Sequence, residues 1–186
     1  MKPDGLRGWI LILGSLILIS SCSANSLSST EIPTIGKIVK CDSISYGDLS
    51  VGPELPCLDD QSKIDISTLK GPLILNVWGS WCGPCKEEIP IFRTFYAKAK
   101  SQISLLGVDV EEARTSEGIN FVIANGMTWP NVYDPDGRTR GYFGPGVPVT
   151  WFIAVDGTVM YKKIGVIDNE QELRDLTAKY LQITVS

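Results

Sequence analysis

Two cysteines three positions apart, Cys82 and Cys85, are the residues of this chain best suited to covalent chemistry. They sit in Trp81-Cys82-Gly83-Pro84-Cys85, between an apolar run at residues 72–78 and a segment at 82–100. The run reads as a buried strand and the segment as a helix. A C-x-x-C pair at a strand-to-helix junction has the geometry of dithiol redox chemistry. The first cysteine meets the exposed N–H groups and positive end of the helix, which stabilise a thiolate. The second lies one turn along and can close a disulfide with it. Pro84 suits this turn, because its φ is already helical and it lacks an N–H that would go unpaired. The bland alternatives for a lone C-x-x-C are half of a metal site or a chance spacing.

The longer string decides between them. Residues 76–90 read Asn-Val-Trp-Gly-Ser-Trp-Cys-Gly-Pro-Cys-Lys-Glu-Glu-Ile-Pro. This resembles the active-site segment of thioredoxin-fold proteins, and more narrowly the membrane-tethered branch that includes TlpA and ResA. The resemblance implies an α/β thioredoxin fold with an N-terminal β-hairpin and a TlpA-type central insertion. It implies a thiol–disulfide oxidoreductase that works through its own redox-active disulfide and needs no other cofactor or metal. Cys82 would be the nucleophile and Cys85 the resolving thiol.

Other residues take roles from the same resemblance. Gly146-Val147-Pro148-Val149-Thr150 is similar to the cis-proline loop that faces the cysteine pair, so a cis Val147–Pro148 bond is expected. Trp81, Gly83, Pro84, Val147 and Pro148 would then form the surface that meets a substrate. Glu88 lies three residues after Cys85, on the same helix face. Buried there, a carboxylate with a raised pKa could take the proton that Cys85 must lose; the alternative is a solvated surface acid, as Glu87 reads. Asn76 stands where thioredoxin carries a buried Asp. Asn cannot take a proton, which adds weight to Glu88. Trp78 reads as core. Glu111 and Glu112 read as a solvated loop.

The N-terminus carries a targeting signal. Lys2 and Arg7 precede an apolar stretch at residues 9–19, too short for a comfortable membrane span. Ile19-Ser20-Ser21-Cys22 resembles a bacterial lipobox. The expectation is a lipoprotein signal peptide at 1–21, a lipidated Cys22 that anchors the protein outside the cytoplasm, a flexible tether or arm at 22–45, and a thioredoxin-like domain at 46–186. An ordinary signal peptide with an incidental cysteine, or an uncleaved anchor, are the other readings.

Five cysteines make an odd count. Lipidation uses Cys22 and the redox pair uses Cys82 and Cys85, which leaves Cys41 and Cys57. Export places these in a compartment where disulfides persist, so they are expected to form a structural disulfide; two free thiols or a second redox pair are the alternatives.

The supporting elements follow from the pattern. A short strand near 55–58 and another at 63–66 form the hairpin, and residues 67–71 form one tight helical turn. A parallel strand is read at 103–110 and a short helix at 115–125, ended by Gly126. That helix and the stretch 129–134 make up the insertion. Asp156-Gly157 marks a hairpin between 149–155 and 158–164, and 169–181 is the closing helix.

Composition is ordinary for a globular protein, with 44% apolar and 20% charged residues. A net charge of −4 without any basic cluster gives no reason to expect nucleic acid. The absence of histidine removes imidazole bases and His-ligated metals. The expected partners are protein thiols or disulfides, a membrane protein that recycles the pair, and the lipid anchor. A reductant of the cytochrome c or copper-site maturation type is favoured over a disulfide-forming oxidant. A peroxiredoxin and a lipid-anchored metal-binding protein are more distant readings.

Overall fold

A computed structural model describes residues 35–48, 52–59, 61–144 and 146–186. The signal segment and Cys22 lie outside the described residues.

The core is a five-stranded sheet ordered β5-β4-β3-β6-β7. At its centre β3 (Leu73–Trp78) is buried along its whole length. It pairs in parallel with β4 (Ser104–Val110), and β4 in parallel with β5 (Asn131–Asp134). On the other side β3 runs antiparallel to β6 (Val149–Ile153), which continues through the Asp156–Gly157 turn into β7 (Val159–Ile164). The connection from β3 to β4 is made by α1 (Gly83–Ala99), since parallel neighbours require a crossover. The insertion contributes α2 (Thr115–Ala124) and the edge strand β5. A short α3 (Arg140–Phe143), for which the sequence carries no signal, precedes β6, and α4 (Glu170–Leu181) closes the fold.

Alternation along the strands sends side chains to two cores. Ile74, Trp78, Leu105 and Phe152 pack under α1, α2 and α4, with Phe92, Val122 and Leu173. Leu75, Val77, Leu106, Val132 and Trp151 pack on the opposite face, under the N-terminal hairpin. That hairpin is β1 (Glu54–Pro56) paired with β2 (Lys63–Asp65), followed by a 3-10 turn at Ile66–Thr68. Cys57 forms a bridge to Val132, so the hairpin covers the β5 edge of the sheet.

Residues 35–45 are not a free tether. The amide groups of Gly36 and Lys37 donate to the carbonyls of Ile123 and Met127, and Cys41 and Ile44 are buried. The arm is therefore part of the folded body from residue 35 onward. A disulfide joins Cys41 to Cys57 across a separation of 16 residues and fixes that arm to the hairpin.

Candidate redox site

The site is assembled where β3 ends and α1 begins. Cys82 is the N-cap of α1, with extended backbone, and Gly83 and Pro84 form the first helical positions. Cys82 and Cys85 are joined by a disulfide with an S–S distance of 2.02 Å. The Cys85 N–H donates to Cys82 Sγ at 3.1 Å. A helix N-terminal amide therefore points at Cys82 Sγ, a position where negative charge on sulfur would be stabilised. Both cysteines are buried, while Gly83, Pro84 and Trp81 on the outer side of the turn are exposed.

Trp81 is half exposed, at 53%, yet its ring is fixed at one edge, because the indole N–H donates to the Val110 carbonyl at 3.1 Å. Gly79 makes room for this fold-back: a Cβ there would lie 2.6 Å from the indole nitrogen. A shallow cleft runs from Trp81 to Val147, floored by Val77, Val110 and Phe143, with Glu111 and Arg140 ion-paired at its rim. The loop holding Val147 and Pro148 reaches the same end of the sheet, since Val149 pairs with Val77. The Val147–Pro148 bond is cis, as is Gly71–Pro72. The Pro148 carbonyl accepts from the Gly165 N–H at 3.0 Å.

Glu88 is fully buried on the inner face of α1. Its Oε1 accepts from Asn76 Nδ2 at 2.7 Å and its Oε2 from the Ile167 N–H at 3.0 Å. Burial pushes its pKa from 4.5 up to about 7, against the opposing pull of those two donors. Asn76 also approaches Thr150 Oγ1 at 3.4 Å. Glu87, one position away, is exposed.

Glu112 corrects the reading of a solvated acidic loop. It is 5% exposed, accepts from Ser80 Oγ at 2.9 Å, and also accepts from the Ser80 N–H. Glu111 takes a φ of +58°, and this left-handed step turns the chain so that Glu112 points back toward β3. A further buried acid, Asp109 on β4, carries no motif; its signal is a single charged residue inside an otherwise uncharged strand. Trp78 lies in the core and stacks on Phe121 with ring centroids 4.9 Å apart.

Among the described residues no group of three or more His, Cys, Asp or Glu is arranged to hold a metal ion, and no helix is long and apolar enough to cross a membrane.

Comparison with known proteins gives a consistent set. The model of the AhpC/TSA family matches residues 51–175. The thiol-disulfide oxidoreductase ResA of Bacillus thuringiensis (strain Al Hakam) is 34% identical over 112 residues, which is 59% of this chain and 64% of that protein, just under two thirds of its length. ResA of Bacillus subtilis (strain 168) is 36% identical over 123 residues, 64% of this chain and 67% of that one. The crystal structure of StoA from Bacillus subtilis superposes with a TM-score of 0.57 at 28% identity, covering 70% of this chain and 99% of that one.

Proposed function

The chain belongs to the AhpC/TSA family of thioredoxin-like proteins, and from that membership we propose that it is a membrane-tethered, extracytoplasmic thiol-disulfide oxidoreductase acting on protein substrates. The observation that carries this reading is the Cys82–Cys85 disulfide at the start of α1, with a helix N-terminal amide on Cys82 Sγ. Similarity to proteins named thiol-disulfide oxidoreductases supports it. The tether is Cys22, lipidated after removal of residues 1–21.

In the reducing direction the Cys82 thiolate attacks one sulfur of a substrate disulfide. A mixed disulfide forms and the first substrate thiolate leaves, taking up a proton. Cys85 then gives its proton to Glu88 and attacks Cys82 Sγ. The mixed disulfide breaks, the second substrate sulfur leaves as a thiolate and takes up a proton returned by Glu88, and two electrons have passed from the dithiol to the substrate. A Glu88 pKa of about 7 suits a group that must take and return a proton near neutrality. Trp81, Gly83, Pro84, Val147 and Pro148 form the contact surface for the substrate chain. The redox disulfide is the only cofactor required, and a membrane electron donor re-reduces it.

The direction favoured is reduction, of the kind that keeps apocytochrome c or copper-site cysteines as thiols. The deciding experiment is the reduction potential of Cys82–Cys85 in the full chain, together with reduction of a model protein disulfide. A potential near the roughly −270 mV of thioredoxin supports the reductant. A value near roughly −120 mV makes the protein a disulfide-forming oxidant instead. Absence of exchange with any protein disulfide or dithiol refutes the activity.

A further inference from the structure

Asp109 stands at the C-terminal end of β4, on the sheet face that also carries Trp78, its register partner on β3. Its side chain is completely buried, and neither carboxylate oxygen receives a hydrogen bond from any N–H or O–H donor among the described residues. An ionised carboxylate in such a place is costly. The site is nevertheless shaped around it. Helix α2 passes so close at Gly118 that a Cβ there would lie 1.8 Å from Asp109 Oδ2. Alanine has the higher helix propensity, by about 1 kcal/mol, but at position 118 it would force the carboxyl to move.

Among the groups that act on Asp109 is the carboxyl of Glu112, the residue that receives both the N–H and the hydroxyl of Ser80. Ser80 is followed by Trp81 and Cys82. The Ser80 that Glu112 holds stands two residues from Cys82.

We propose that Asp109 is a positioning residue of the exchange site: its carboxyl O–H donates to Glu112, and Glu112 holds the Ser80–Trp81 segment that presents Cys82. The charges that act on Asp109 are both acidic, Glu112 and Glu117 of α2, and Glu117 is itself paired with the exposed Arg114 at 2.8 Å. From β5, the Tyr133 hydroxyl donates to the Glu112 carbonyl. Burial and these like charges push Asp109 up to about 9, so the proton is present through the neutral range. Loss of that proton sets two carboxylates against each other, drives Glu112 outward, and frees Ser80. The nucleophile is thus held at neutral pH and released in alkali, by a group separate from the Glu88 proton acceptor.

This proposal rests on the exchange activity argued above, and its first test needs none of it. In the full, isotope-labelled, oxidised chain the two redox cysteines do not titrate. The Ser80 amide proton resonance is then followed from about pH 6 to about pH 10. The expected result is a downfield resonance that is lost with an alkaline inflection in the wild type and keeps its position in Asp109→Asn. A flat resonance in the wild type, or the same inflection in Asp109→Asn, overturns the proposal. Glu112→Gln supplies a second variant, in which removal of the like charge moves the inflection toward acid; an unmoved inflection also overturns it. In exchange assays kcat/KM should fall between about pH 7.5 and about pH 10 roughly tenfold more in the wild type than in Asp109→Asn, the factor for one hydrogen bond to a charged group. Equal falls overturn it. A wild type with no exchange at all refutes the activity and leaves the amide titration to judge Asp109.

Discussion

Asn76 on the central strand donates its side-chain N–H to Glu88 at 2.7 Å, one helical turn beyond Cys85. The other amide atom, Asn76 Oδ1, is buried and receives no hydrogen bond among the described residues. The side chain can therefore serve both states of its neighbour. It donates through Nδ2 to an ionised Glu88, and after an amide flip it accepts through Oδ1 from a protonated one. A residue that cannot titrate allows the acid beside it to do so without competition.

Exchange should depend on this acid. Glu88→Gln removes the proton acceptor and keeps its shape and one carbonyl oxygen for Asn76. We expect resolution of the mixed disulfide near neutral pH to slow about a hundredfold, the low end of what a positioned proton acceptor contributes. The pH-dependent limb near 7 should vanish with it. Asn76→Asp should instead keep the limb and move it alkaline, because a second carboxylate beside Glu88 makes its ionisation harder. Rapid-quench measurement of mixed-disulfide decay across pH decides both.

Stability should report the same group. An unfolded Glu88 releases its proton near 4.5, whereas the folded one keeps it to about 7. Between those values the folded state binds more protons, so stability falls as pH rises and levels off above about 7. The interval corresponds to roughly 3 kcal/mol. Asp109 adds a slope of the same sign that continues toward about 9, so the quantity to read is the difference between wild type and Glu88→Gln. The urea midpoint of the oxidised wild type should fall relative to that of Glu88→Gln as pH rises from about 4.5 to about 7.5, the wild type being the one that loses stability faster. Parallel curves would place Glu88 outside the proton balance of folding.

The frame was legible wherever burial or turn chemistry writes itself into residue type. An uninterrupted apolar run announces β3 because both its faces are covered, and Asp156-Gly157 announces the β6–β7 turn. Cys82 declares the start of α1 through Pro84. Glu88 is separable from Glu87 by helical phase counted from Cys85 and by the family resemblance. The burial of Glu112 is not legible in the sequence because its direction depends on one backbone angle, the positive φ of Glu111, which no residue type signals. Asp109 sits in the inward phase of β4, with Leu105 and Gly107, and that phase alone could have marked it as buried. The docking of the arm from residue 35 rests on backbone hydrogen bonds to Ile123 and Met127, which leave no trace in side-chain pattern.

The second disulfide should act on stability and leave redox chemistry alone. Cys41 and Cys57 are both buried and lie with the hairpin core, on the sheet face opposite the Glu88 core. Closing a loop of 16 residues restricts the unfolded chain by roughly 3 kcal/mol. The double variant Cys41→Ser, Cys57→Ser should therefore unfold at lower urea concentration by about that amount. Its Cys82–Cys85 potential should match the wild type within error. A shifted potential would mean that the arm reaches the redox site energetically.

Gly79 offers the most direct test of the substrate surface. Its backbone passes under the indole of Trp81, and a methyl group there would occupy space 2.6 Å from the ring nitrogen. Gly79→Ala must swing the ring out and break its hydrogen bond to Val110. The hydrogen bond from the Cys85 N–H to Cys82 Sγ involves neither the Gly79 side nor the Trp81 ring. Loss of one neutral hydrogen bond of about 1 kcal/mol at the contact surface corresponds to roughly a fivefold rise in KM. With kcat unchanged, that split marks Trp81 as a binding rather than a reacting group. A matching fall in kcat with constant KM would instead assign Trp81 to the geometry of attack at Cys82.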